Sequence, residues 1–186
     1  MARKILAAIQ VAVLLSLSAC VTNIAPTVQQ NPPPAQALDQ FASFELLPTQ
    51  ASEAAKAEKD ALAKIDQHLR AKLPPLFTTW QKAAGAKLTI EPNVRELKFV
   101  GGGARFFAGA LAGSSAVVMT LKLTDATTGR VVAEPQFFQR AAAMGGAWSI
   151  GATDNDMLER IVTVAQEYLL RNYHQAVGGP TGLEEE

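Results

Sequence analysis

Few side chains in this sequence are equipped for chemistry. Of its 186 residues one is a cysteine, Cys20, and two are histidines, His68 and His174. A single thiol closes no internal disulfide, and without a Cys/His cluster it holds no zinc. The two histidines lie on predicted helices far apart in sequence, where each reads as a surface residue rather than a general base. Serines abound, yet no G-x-S-x-G occurs, so a Ser-His-Asp hydrolase finds no support. Asp125, Asp154 and Asp156 form no D-x-D-x-D-G calcium loop, and turn and capping roles account for them. Glu91, Glu96 and Glu134 sit on or beside strands whose alternation turns them to solvent, which gives no glycosidase pair. The expectation is a protein that is not an enzyme and holds no metal.

Cys20 is set apart by what precedes it. Met1 to Lys4 carries two positive charges, and Ile5 to Ala19 then runs fifteen residues without one. That run is short of the roughly 20 apolar residues of a spanning helix but fits the apolar centre of a signal peptide. Its end, Leu17-Ser18-Ala19-Cys20, resembles the lipobox of bacterial lipoproteins at all four positions. The resemblance implies a diacylglyceryl group on the Cys20 thiol, cleavage of a leader spanning residues 1–19, and acylation of the new amine. It implies no cofactor beyond those acyl groups. Each buried CH₂ contributes about 0.8 kcal/mol, so two or more chains hold stably in a bilayer where one does not. Val21 stands where Asp is the usual inner-membrane retention signal in Gram-negative envelopes. By that analogy the destination is the outer membrane, periplasmic face.

Charge adds an exclusion. The chain has 17 basic and 17 acidic residues, and loss of Arg3 and Lys4 with a leader leaves 15 against 17. Such a balance makes no basic face for nucleic acid.

Stepping outward from Cys20, Val21 to Gln40 holds Pro26 and the run Pro32-Pro33-Pro34, with no aromatic residue and no period. This composition reads as a tether of residues 20–40, about 25 Å long as a flexible coil, from which a domain hangs clear of the headgroups. The glycine-rich, acidic end at 178–186 reads as a disordered tail. Folded material is then one domain over residues 41–177.

Within it, FASFELL (41–47) is a short strand closed by Pro48. Ser52 to Leu73 places Leu62, Ile65, Leu69 and Leu73 on one helical stripe. Asp60/Lys64 and Asp66/Arg70 add i,i+4 pairs on its exposed side. Pro74-Pro75 is expected to end or sharply kink this helix. Leu76, Phe77 and Trp80 continue the apolar face in a second short turn. KLTIE (87–91) and RELKF (95–99) alternate with opposite parity. A period-2 strand cannot change face without an extra residue, so a bulge or turn is expected at Pro92-Asn93. VVMTLKLTD (117–125) is a strand with Val117, Met119, Leu121 and Leu123 on one face. Asp125 to Gly129 is a turn, and Arg130 to Phe138 returns as the partner strand, marked by Pro135 as an edge or a bulge. Asp154, Asn155 and Asp156 offer N-caps for a helix to about Tyr173. Its inner face is Met157, Leu158, Ile161, Val162, Ala165, Tyr168 and Leu169. The order β-α-β-β-β-α gives an α+β domain, with helices packed on a mostly antiparallel sheet. The helical crossover makes the first two strands a parallel pair.

GGGARFFAGALAGSSA (101–116) is not a phosphate loop, since no Gly-Lys-Ser/Thr follows and no G-x-G-x-x-G opens a helix. Gly109-x-x-x-Gly113 leaves two readings open, a close-packed loop between strands and a membrane-inserted piece. Ala104-Arg105-Phe106, the spaced Gly109 and Gly113, and the strand ending in Asp125-x-x-Thr128-Gly129 resemble the lipoproteins grouped as domain of unknown function 4410. The likeness spans roughly residues 87–173. Ala110-Leu111-Ala112 departs from it, where a tighter Gly-Ala-Gly is expected. The resemblance implies a small envelope lipoprotein and brings no active-site residue with it.

Two functional expectations follow. One is a lipid-anchored binding or scaffold module that docks another envelope protein and touches the bilayer through Cys20. The other is a homo-oligomeric assembly or secretion factor whose glycine-rich segment inserts in the membrane or lines a pore.

Overall fold

The computed structural model describes Ile24 and residues 26–99, 115–141 and 150–183. Its elements are β1 (Gln30–Asn31), β2 (Ser43–Leu46), β3 (Gln50–Ala51), α1 (Lys59–Trp80), β4 (Lys87–Lys98), β5 (Ala116–Asp125), β6 (Val131–Ala133), β7 (Gln136–Arg140), α2 (Ile150–Arg171) and β8 (Gly179–Pro180). The expected β-α-β-β-β-α skeleton is present, and the class is α+β. One sheet runs β2–β4–β5–β6, with β3 joining β4 and β7 joining β5. The crossover through α1 makes β2 and β3 parallel to β4, while the β4–β5, β5–β6 and β5–β7 pairs are antiparallel.

Both helices lie on one face of this sheet. Ile65, Leu69, Leu73, Phe77 and Trp80 of α1 form one buried stripe, and Met157, Leu158, Ile161, Val162, Ala165, Tyr168 and Leu169 of α2 form another. Leu88, Ile90, Val94, Val117, Met119, Leu121, Leu123 and Phe137 complete the core from the sheet. Between the helices, Lys72 Nζ lies 3.2 Å from a Glu159 carboxylate oxygen and donates to Thr163 Oγ1 at 3.2 Å.

Helix α1 corrects two expectations. It starts at Lys59, because Ser52 instead caps a one-turn 3₁₀ helix at Ala55–Ala57 by accepting from the Ala55 N–H at 3.1 Å. It also runs through Pro74 and Pro75 to Trp80. The two prolines remove the donors for the carbonyls of Arg70 and Ala71. Both of those residues are exposed, so water can serve them. Leu73, Phe77 and Trp80 stay buried on the same stripe, and that burial outweighs the lost bonds. In α2 the expected caps fail as well: Asp154, Asn155 and Asp156 lie inside a helix already formed at Ile150.

The change of parity in β4 is real, but it falls later than expected. Leu88, Ile90, Pro92 and Val94 face the core, and after them Leu97 does. The register against β5 slips between Val94 and Glu96, which leaves Arg95 as the extra residue. Pro92 needs no bulge. The carbonyls of Ile90 and Val94 accept from Leu47 and Ser52, so the missing Pro92 donor points between them, where β2 has ended and β3 begins. The returning strand is broken at Glu134-Pro135, giving β6 and β7 in line beside β5.

The tether and the tail also need correction. From Gln30 to Gln40 the chain is bound to the domain: Asn31 and Leu38 are buried, and Leu38–Gln40 forms a 3₁₀ turn. At the other end Gly179–Pro180 pairs antiparallel with Gln30–Asn31, and Thr181 is fully buried. Proline and polar composition describe these segments correctly. Their structure comes from bonds to residues distant in sequence, such as Asn31 to Gln136 and Thr181 to Phe138.

Candidate functional site

The face of the sheet turned away from the helices is built in rows. Toward the β2 end it is polar: Lys87 Nζ meets a Glu45 carboxylate oxygen at 2.7 Å, and Glu91 stands opposite Lys122. Toward the start of β5 it becomes apolar, with Ala116, Val118 and Phe138 adjacent across β5 and β7. An apolar step on an outward face would be exposed surface. Here it forms a second small core, covered by Ile24 from one chain terminus and Leu183 from the other.

From Ile24 the chain wraps the domain as a strap. Thr27 donates from its N–H and its hydroxyl to the Gln136 side-chain oxygen, the latter at 3.0 Å. Asn31 then grips the backbone of Gln136 with its amide. The Ala35 N–H donates to Val132 O at 2.8 Å, and the Phe138 N–H to Thr181 O at 2.7 Å. Those bonds fill the outer edge of β6–β7 with the two terminal segments, so that edge offers no open ladder to another strand. Past the edge the strap reaches the helix layer. The Tyr168 hydroxyl donates to Pro32 O at 2.9 Å, and burial pushes its pKa up to about 12. The N–H groups of Leu38 and Asp39 donate to the carbonyls of Asn172 and Tyr173 at the end of α2. Asn172 is fully buried; it donates to Tyr168 O and Gly178 O and accepts from the Val177 and Gly178 N–H groups.

The residues singled out from the sequence do not converge on one place. Leu17, Ser18, Ala19 and Cys20 lie outside the described residues, as do Ala104, Arg105, Phe106, Gly109 and Gly113. Asp125, Thr128 and Gly129 form the β5–β6 turn, at the far end of β5 from Ala116. Asp125 Oδ1 accepts from the Thr127 N–H at 2.8 Å and the Thr128 N–H at 3.3 Å, and Gly129 takes a φ of +71°. These N–H groups, Thr127 first, hold the Asp125 carboxyl below its ordinary range. The work of this trio is local turn formation. His174 has an 81% exposed side chain with Nδ1 3.3 Å from Asp39 Oδ2, while His68 is half-buried on α1. Glu96 and Glu134 are exposed and Glu91 is half-buried. Among the described residues no group of three or more His, Cys, Asp or Glu is placed to hold a metal, and no helix is long and apolar enough to cross a membrane.

Asn31, Gln136, Tyr168, Asn172 and Thr181, which seat the strap, were not visible as a set in the sequence. The signal that existed was Ile24 and Leu38, isolated apolar residues in a polar, proline-rich stretch.

No protein-family model matches the sequence, and no curated protein matches it. Solved structures share its backbone course in part. Protein XCC0632 of Xanthomonas campestris, of domain of unknown function 330, is 17% identical with a TM-score of 0.48, over 81% of this chain and 96% of that one. The PelC dodecamer of Paraburkholderia phytofirmans is 19% identical with a TM-score of 0.40, over 74% and 94%. A minor lipoprotein of Acinetobacter baumannii is 8% identical with a TM-score of 0.38, over 71% and 94%. The likeness is one of coarse backbone course, and neither partners nor activity pass to this chain through it.

Proposed function

We propose that this chain is a lipid-anchored envelope protein, held by acylated Cys20 at the periplasmic face of the outer membrane. Its α+β domain serves as a binding or scaffold module for another envelope component. The observation that carries the reading is the lipobox Leu17-Ser18-Ala19-Cys20 placed shortly ahead of the domain, whose first packed residue among those described is Ile24. Cys20 thus stands where a lipid anchor would connect straight to folded protein. Val21 after it supports the outer membrane as the destination, and the resemblance of roughly residues 87–173 to domain of unknown function 4410 supports an envelope role.

Intact-mass spectrometry of the protein from its native membrane fraction tests the anchor. The expected mass is that of residues 20–186 plus a diacylglyceryl and an acyl group, and Cys20→Ser leaves the protein unlipidated. An unmodified terminus or a retained leader overturns the proposal. Crosslinking in the native envelope tests the scaffold role. A reproducible crosslink to one envelope protein, or to a second copy of this chain, supports it, and repeated recovery of uncrosslinked chain alone counts against it.

A further inference from the structure

We infer that the strap leaves the anchor almost no spacer, so that the domain stands end-on to the bilayer. The end of the sheet formed by Phe99, Ser115–Ala116 and Arg140–Ala141 faces the lipid, and the Asp125–Gly129 turn points away from it. This rests on acylation of Cys20, proposed above, and commits to the lipid surface as what lies against that end.

The argument is one of reach and heading. Ile24 packs on Ala116, Val118 and Phe138, at the start of β5 and near the end of β7. Only four residue steps separate it from Cys20. Fully extended, four residues span about 14 Å. A free tether of twenty residues would let the domain tumble at roughly 25 Å from the membrane. The bonds of Thr27, Asn31, Ala35, Leu38 and Asp39 to the domain take most of that length out of play. The heading follows from the same contacts. Thr27 sits at Gln136, and Ile24 sits at Phe138, two residues further along β7. From Thr27 back to Ile24 the strap therefore runs toward the end of β7. The ten residues of β5 set the opposite turn about 30 Å away along the strands.

The orientation can be read by energy transfer. In the acylated protein Cys20 is a thioether, so an introduced cysteine is the only free thiol. Glu96→Cys places a donor dye on an exposed side chain of β4 near the proposed lipid-facing end, and Thr127→Cys places it on the exposed far turn. The natively acylated proteins are reconstituted into vesicles of phosphatidylethanolamine and phosphatidylglycerol bearing an acceptor lipid. Transfer at residue 96 should be several-fold stronger than at residue 127. Inserting about twelve Gly/Ser residues between Val21 and Thr22 adds roughly 20 Å of reach and should erase the difference. Equal transfer at the two positions without the insert, or a difference that survives it, overturns the inference. Flotation separates this from the anchor itself: protein that does not float with the vesicles fails the anchoring proposal, and protein that floats with equal transfer fails the orientation alone.

Discussion

The side-chain amide of Asn31 pairs with the backbone of Gln136 as a neighbouring strand would. Nδ2 donates to the Gln136 carbonyl at 2.7 Å and Oδ1 accepts from its N–H at 2.7 Å, while Nδ2 also reaches Pro180 O at 3.1 Å. The residue is 4% exposed, so these bonds are made out of water. Asn31→Ala removes three of them and leaves the edge groups of β7 partly buried and unpaired. The expected loss is about 2–3 kcal/mol in urea unfolding. Opening this edge should also raise aggregation above that of an equally destabilised core variant, measured by light scattering. A variant that unfolds at the wild-type midpoint would show that the strap is not seated as described.

Gly178 tests the same strap from the other side. Its φ is +75°, and a Cβ there would stand 2.4 Å from the Asn31 carbonyl oxygen. Gly129 has a similar φ of +71° but meets nothing within 4 Å. Both substitutions to alanine incur the left-handed backbone penalty of about 1–2 kcal/mol. Gly178→Ala must in addition push β1 from β8, for an expected total above about 3 kcal/mol. Amide exchange should then rise across residues 30–40 in Gly178→Ala and remain at wild-type levels there in Gly129→Ala.

What could be read from the sequence was what depends on near neighbours. The apolar stripes of α1 and α2 recur every three or four residues, and the alternation of β5 is continuous, so their faces were legible. Parity showed that β4 must hold an extra residue somewhere between Ile90 and Leu97. It could not say which, and Pro92 drew the assignment because the gap between β2 and β3 is a tertiary feature. The strap was illegible for a related reason. Asn31 finds its partners at Gln136 and Pro180, and Asn172 serves N–H groups of a segment that has no period of its own. Pro74-Pro75 shows the reverse case, in which a correct local rule yields to the buried stripe running through Phe77 and Trp80. For the candidate site, the context of Cys20 was plain, whereas its closeness to the folded domain emerged only from the packing of Ile24.

The bulge in β4 gives a register prediction. Arg95 is exposed and pairs with no residue of β5, so Arg95→Ala should stay within about 0.5 kcal/mol of wild type. Deleting Arg95 outright restores an uninterrupted period of two. Leu97 then stays on the core face and Glu96 on the outer face, opposite the same residues of β5 as before. The expected cost is small, within about 1 kcal/mol of Arg95→Ala, because no core position is emptied and no carboxylate is buried. Urea unfolding of the two variants side by side checks this, and a deletion that costs more than about 3 kcal/mol, as turning Leu97 out of the core would, places the extra residue elsewhere.

Asp125 sets a pH dependence whose sign is fixed by its hydrogen bonds. The Thr127 N–H at 2.8 Å, with the hydroxyl and N–H of Thr128, favours the ionised carboxylate in the folded turn and holds its pKa below the ordinary value. Unfolding releases those donors, and the carboxyl then binds its proton more readily. The stabilisation is therefore fully present above the ordinary carboxylate range and is lost as pH falls through the depressed folded value. Asp125→Ala should lower the urea midpoint at pH 7. The gap from wild type should narrow as the pH drops below about 4, because the wild-type turn gives up its charge there and the variant has none to lose. A gap that stays constant from pH 7 into acid would mean that the turn is held by Gly129 and the backbone alone.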